Sequence, residues 1–231
     1  MTAEYDRYFA DVAKKQAGNE YVTTHCRRYA MSLDWISGEL GLVKSVLEIG
    51  SQNPFTGGMA TFFPGLQIEH THPADLRTVF TDKRDHYDFL VNMEVIEHIN
   101  DLDIKDTFHL ESYVGDGVLN FVNTCYACLK PGGKMFLSTP NLSSMGTLWR
   151  TMLGWNPFSY HYHVRELSMN GLCALLAAAG FKIVRHETVD CYIDDRVPPH
   201  IAEKILALLK DCGCQVSGRA AVQFLMALKP A

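Results

Sequence analysis

The residues of this chain best suited to chemistry stand just after an apolar run. Tyr87-Asp88-Phe89-Leu90-Val91-Asn92-Met93 leads directly into Glu94-Val95-Ile96-Glu97-His98-Ile99. An imidazole titrates near neutral pH and can take a proton from a reacting group, so His98 is the first candidate general base. His163, with His161 close by in Trp155-Asn156-Pro157-Phe158-Ser159-Tyr160-His161-Tyr162-His163, is the second. Glu94, Glu97, His98 and His163 also carry the ligand types that divalent cations take. Glu94 and Glu97 stand one helical turn apart, which is equally the spacing of solvated pairs, and no metal is assigned. Trp149, Trp155, Phe158, Tyr160 and Tyr162 would either wall a hydrophobic pocket beside these groups or pack a lid.

The elements that must position these residues follow from patterning. Ser45-Val46-Leu47-Glu48-Ile49-Gly50 is apolar on both faces and reads as a buried parallel strand. The loop after it, rich in Pro, Asn and Gly, marks the first strand-to-helix turn, where the backbone can approach a ligand. Further strands are expected at 66–70, 87–93, 135–139, from 181 loosely to Tyr192, and at 221–228. Helices are expected at 3–17, 24–40, 56–63, 118–129, 142–152, 166–179 and 198–210. Lys130-Pro131-Gly132-Gly133-Lys134 reads as a tight turn, and residues 100–117 as a long polar connection. This alternation predicts an α/β fold, a mostly parallel sheet with helices on both sides. Nothing resembles an interdomain linker, so residues 1–231 read as one domain: a helical cap at 1–41 over a core at 42–231, with a lid at 142–166. His25, Arg27 and Arg28 could reach an anionic substrate, but a solvated helix face is the favoured reading.

Composition narrows the function. The 231 residues are 47% hydrophobic and 20% charged, with a net charge of -5. Without a dense basic stripe, nucleic acid is a poor partner. No apolar run is long enough to span a bilayer, and Met1-Thr2-Ala3-Glu4-Tyr5-Asp6 lacks signal-peptide character. The expectation is a cytoplasmic protein that engages neither nucleic acid nor a membrane; oligomeric state is not legible. The seven cysteines include Cys125 and Cys128 as C-x-x-C and Cys212 and Cys214 as C-x-C. Because Cys125 and Cys128 fall on an amphipathic helix, core packing is favoured over a zinc site.

Several motifs together carry a family resemblance. Val46-Leu47-Glu48-Ile49-Gly50 resembles the first motif of class I S-adenosylmethionine-dependent methyltransferases, of the small-molecule and sugar-modifying type. Tyr87 to Ile99 looks like their fourth strand and the segment after it. Leu129 to Gly133 and Phe136 to Asn141 look like the turn into the fifth, and His163-Val164-Arg165-Glu166 and Ala178-Ala179-Gly180-Phe181 are similar to a later stretch common in small-molecule and sugar-modifying members. The resemblance implies a Rossmann-like, seven-stranded sheet whose last strand is antiparallel. It implies S-adenosylmethionine as cofactor and methyl transfer to an oxygen or nitrogen of a small molecule. Glu48 and Gly50 would hold or approach its methionine portion, and Ser51, Gln52 and backbone groups of the loop would cradle the cofactor. An acid on the second strand, Glu69 or Asp75, would accept from the ribose, with Asn92 and Met93 near the adenosine or the methyl. The chain departs from the family's pattern where Ser51-Gln52-Asn53-Pro54 replaces the usual run of alternating glycines. That departure keeps open a second expectation, a degenerate member that binds without transferring methyl. The segment from Gly50 to Asp88 is also short for the full set of elements.

Overall fold

A computed structural model describes residues 2–101, 116–191 and 197–231. Most of the expected polar connection after Asn100, and Tyr192, lie outside the described residues.

Two helices open the chain, α1 (Ala3–Lys15) and α2 (Glu20–Leu40). The Asn19 side chain caps α2 by accepting from the Val22 N–H, so the helix begins four residues earlier than its apolar pattern suggested. Then come β1 (Ser45–Glu48), α3 (Pro54–Phe62), β2 (Gln67–His70) and β3 (Tyr87–Met93). A single 3₁₀ turn at Ile96–His98 precedes α4 (Asp116–Cys128) and β4 (Leu129–Pro140). The chain ends with α5 (Met145–Met152), α6 (Met169–Ala178), β5 (Lys182–Val189), α7 (Pro199–Asp211) and β6 (Val222–Leu228). Lys130 to Gly133 form an irregularity inside β4: Tyr87 pairs with Leu129, yet Phe89 pairs with Lys134.

The sheet has six strands among the described residues, in the order β2-β1-β3-β4-β6-β5, rather than the seven expected. The reason is length. Only residues 71–86 connect β2 to β3, and they form turns and extended segments with no further helix or strand. β1 to β4 pair in parallel and β6 runs antiparallel to both neighbours, as expected of the last strand.

Alternate strand residues enter opposite cores, as the two-residue period requires. Val46, Phe89, Val91, Phe136, Phe224 and Met226 pack with Phe9, Leu33, Ile36 and Phe55 of α1, α2 and α3. Leu47, Leu90, Met135, Leu137, Leu225 and Ala227 pack with Phe121, Val122, Cys125, Leu172 and Leu176 of α4 and α6. Each fully buried Phe or Leu contributes about 1.5–3 kcal/mol, so the N-terminal helices are held by the sheet and not merely draped over it. Cys125 and Cys128 are fully buried in the second core, whereas Cys212 and Cys214 are exposed; all the described cysteines are free thiols.

Candidate active site

Two places at the carboxyl end of the sheet concentrate polar groups. The first follows β1. Gly50 has φ +107, a conformation costly for any residue with a Cβ, and nothing lies within 4 Å of where a Cβ would be. Its backbone is anchored from below: the Gly50 N–H donates to Thr71 Oγ1 at 2.8 Å, and its carbonyl accepts from the His72 N–H at 3.1 Å. Ser51 and Gln52 are exposed beside it. Glu48 lies underneath and is 2% exposed. Its Oε1 accepts from Asn53 Nδ2 at 2.8 Å and its Oε2 from Thr56 Oγ1 at 2.5 Å. Asn53 and Thr56 are also the reciprocal cap of α3. Burial raises the Glu48 carboxyl to about 7 against these two donors.

The remaining residues expected at a cofactor scatter more. Asn92, fully buried on β3, has neither amide atom hydrogen-bonded. Met93, at the strand's end, is half-buried. Asp75 is exposed and occupied by Arg77, at 3.0 Å. Glu69 turns away to Lys83 and Tyr87. His70, the last residue of β2, stands 3.7 Å from Glu48 Oε2.

The second place follows β3 and β4, where a cavity of about 360 Å³ opens. Both candidate bases line it, with Glu94, Glu97, Arg28, His25 and Glu166. Glu94 has φ 55, unusual for a residue with a side chain, at the point where the chain leaves the sheet. That bend aims Glu94 Oε2 at Arg28, 3.2 Å away, while Oε1 accepts from Ser138 Oγ at 2.9 Å. Arg28 is only 2% exposed, so the expected solvated face is corrected at this residue, whereas Arg27 is exposed as expected. A buried guanidinium persists because a carboxylate faces it.

Glu97 is 1% exposed. Its Oε2 accepts from Thr139 Oγ1 at 2.9 Å, while Oε1 has no hydrogen-bond partner. Burial, then the charge of Glu94, raises its carboxyl well above the usual range. The Glu97 carbonyl accepts from the N–H groups of Val164 and Arg165, at 3.0 and 3.3 Å, which brings the aromatic loop back over the end of β3. His163 Nε2 is thereby 4.0 Å from Glu97 Oε1, and the His98 and His163 rings meet edge-on with centroids 4.7 Å apart. Desolvation, then His163, lowers the His98 imidazole, which favours its neutral, proton-accepting form.

Glu97, His98 and His163 each present one ligand atom, all within 4.8 Å of one another. That is the donor set of a small divalent-cation site, and the orphaned Glu97 oxygen is the atom a cation would satisfy. Of the five aromatics expected to wall the pocket, only Tyr160 lines the cavity; Trp155 and Tyr162 are 64% and 65% exposed. None of the seven residues expected at the cofactor lines it either. Glu166 and Arg28 were missed as site residues. The first had a signal in its position three residues after His163; the second, next to Arg27 in a helix that also carries His25, Asp34 and Glu39, had little to set it apart.

A family model described as a methyltransferase domain matches residues 17–186. The chain belongs to that family. The methyltransferase domain is 29% identical over 121 residues to a ubiquinone biosynthesis O-methyltransferase of Chelativorans sp. (strain BNC1), covering 50% of this chain and 41% of that protein. It is 32% identical over 121 residues to a probable S-adenosylmethionine-dependent methyltransferase of Mycolicibacterium smegmatis, covering 52% of this chain and 37% of that protein. The chain thus matches about two-fifths of the length of these curated relatives. The fold is shared with a SAM-dependent methyltransferase from Archaeoglobus fulgidus, at TM-score 0.57 and 14% identity over 96% of this chain and 100% of that one. It is also shared with the Burkholderia thailandensis 1,6-didemethyltoxoflavin-N1-methyltransferase, at TM-score 0.53 and 14% identity over 100% and 92% of the two chains. Among the described residues, no helix is long and apolar enough to cross a membrane.

Proposed function

We propose that this methyltransferase domain transfers a methyl group from S-adenosylmethionine to an oxygen of a small molecule. Residues 1–231 would act as one unit, with the segment 142–166 as lid. The observation that carries the reading is the buried Glu97–His163 pair, with His98 against it, facing a 360 Å³ cavity at the carboxyl edge of the sheet. A hydroxyl needs its proton removed as a new bond forms at its oxygen; a nucleophilic neutral amine does not. A base aimed into the cavity therefore favours oxygen, in line with the O-methyltransferase names of the curated relatives.

The residues after β1 fit the cofactor. Gly50 leaves open space before its backbone, Ser51 and Gln52 are exposed beside it, and the Asn92 amide is buried with its hydrogen bonds unfilled. When bound, S-adenosylmethionine supplies an electrophilic methyl carried on a sulfonium. The chain's own part is to align the acceptor and take its proton: His163 through Nε2, with the neutral His98 beside it.

A second reading of the same trio is favoured by the orphaned Glu97 oxygen. A divalent cation held by Glu97, His98 and His163 would hold and polarise the acceptor oxygen. The decisive experiment combines calorimetry with S-adenosylmethionine and a methyl-transfer assay on a panel of phenols, alcohols and amines, each with Mg²⁺, with Mn²⁺ and with a chelator. Phenol or alcohol methylation supports the proposal. Cofactor binding without transfer to any acceptor supports a degenerate member, and amine-only transfer removes the argument for a base. Loss of transfer on chelation favours the cation over the free base.

A further inference from the structure

We propose that Glu166 is a positioning residue that holds the His163 imidazole in its Nδ1–H tautomer and thereby turns the Nε2 lone pair toward Glu97 and the cavity. The use made of that lone pair rests on the functional reading above; the tautomer does not.

Glu166 is 4% exposed, and its side chain is closed to solvent. Three groups converge on one of its oxygens, Oε1: His163 Nδ1 at 2.7 Å, Ser159 Oγ at 2.6 Å and the Ser159 N–H at 2.5 Å. An oxygen crowded by three polar contacts this short, one of them a backbone N–H that can only donate, has no room for a proton of its own and acts as an acceptor. A ring nitrogen 2.7 Å from such an oxygen must carry the hydrogen. In a neutral imidazole the other nitrogen then has the lone pair, and here that nitrogen is the one facing Glu97 Oε1.

The same oxygen also tethers the loop. Ser159 is tied to Glu166 in the middle of the loop, and Val164 and Arg165, just after it, are tied to the Glu97 carbonyl. His163 is thus held between two anchors with its ring 8% exposed, although Tyr160 and Tyr162 beside it are open to solvent. Without Glu166, Nδ1 is left with Ser159 Oγ at 3.4 Å, a long contact to a hydroxyl that can donate as well as accept, so the ring can place its hydrogen on Nε2 and present a donor where a base or a ligand atom is needed. This orientation of one imidazole by a carboxylate is how ring nitrogens are generally committed to one role.

The test is nuclear magnetic resonance of the full chain labelled with ¹⁵N-histidine, at a pH where the imidazole is neutral, with His163→Gln identifying the signals. The wild type should show His163 protonated at Nδ1 and bare at Nε2. Glu166→Ala should lose that preference and pass mainly to Nε2–H. Ser159→Ala, which removes a different donor to the same oxygen, should keep Nδ1–H. Turnover should fall about 10–100-fold in Glu166→Ala with cofactor affinity unmoved, the usual effect of losing an orienting partner. If Glu166→Ala does not fold, the near-isosteric Glu166→Gln replaces it, and a mixture of tautomers is expected. Nε2–H in the wild type, or undiminished Nδ1–H in the folded Glu166 variant, overturns the inference. Full turnover in His163→Gln alongside a wild-type Nδ1–H signal would instead overturn the functional reading and leave the tautomer assignment standing.

Discussion

The ends of β1 and β3 use the same residue types to opposite effect. After β1, both oxygens of Glu48 are taken by Asn53 and Thr56, and those two residues also cap α3. The Glu48 carboxylate is filled on both oxygens, so its product is a well-held turn, with His70 Nδ1, 3.7 Å away, a buried atom beside it that has no hydrogen-bond partner. After β3, Glu97 keeps one oxygen without a partner and Glu166 another, on either side of His163. Glu94 is held in a costly backbone conformation beside them. Buried polar atoms left unfilled cost about 1–3 kcal/mol each, a cost that a turn has no need of and that a ligand or cation can relieve. The lesson is that a buried carboxylate marks a site less by being buried than by what remains unfilled around it.

The largest effect that would break this contrast lies at β3. His163→Gln should lower turnover by about 10²–10⁴-fold with S-adenosylmethionine affinity unchanged by calorimetry. His98→Ala is the paired measurement, and loss in His98→Ala alone would swap the two roles. Full activity in both would remove base catalysis from the cavity altogether.

Next is the pH dependence of Glu48. Its carboxyl rises from an ordinary 4.5 to about 7 in the fold, so the folded chain holds that proton more tightly than the unfolded one. Stability from this group is therefore fully present below about 4.5 and lost as pH rises toward 7, by roughly 3 kcal/mol. Thermal melts of wild type and Glu48→Gln between pH 5 and about 8 check this: the wild type should lose stability across that range, and the variant should lack that loss. Equal slopes would mean the turn does not bury a titrating acid.

Smaller again is Gly50→Val. A branched residue at φ +107 should cost about 1–3 kcal/mol in melting and place a side chain where the cofactor backbone contact is proposed. A folded variant with unchanged cofactor affinity would move that site away from the first loop. The smallest effect belongs to Asp75→Asn. Its pair with Arg77 is exposed, so stability should change by less than about 0.5 kcal/mol. A clear drop in cofactor affinity there would show that Asp75 leaves Arg77 when the cofactor binds, and would make the first region more of a ligand site than its filled carboxylate suggests.

Much of this was legible before any coordinates. Tyr87 to Met93 was read as a strand with the bounds it has, since a continuous apolar run between polar segments admits little else. The early start of α2 was missed because the helix begins with the polar Asn19 cap and not with its apolar stripe. The sheet has one strand fewer than the family pattern implied because 71–86 is too short to build a crossover and another strand. At the site, His98 and His163 were legible as types. The burial of Arg28 was not, because a charge next to Arg27 on a helix of mixed polarity reads as a solvated edge until a carboxylate is seen opposite it.

By itself the sequence determined the period of each element, the two-faced burial of the central strands and the carboxyl-edge position of Glu94, Glu97 and His98, because these follow from local geometry. Only the tertiary structure decided that His163 returns across 65 residues to meet Glu97, that Arg28 comes from the first helices to neutralise Glu94, and which carboxylate oxygens stay unfilled. Hydrogen-bond satisfaction depends on groups far apart in the chain, and no spacing between neighbours encodes it.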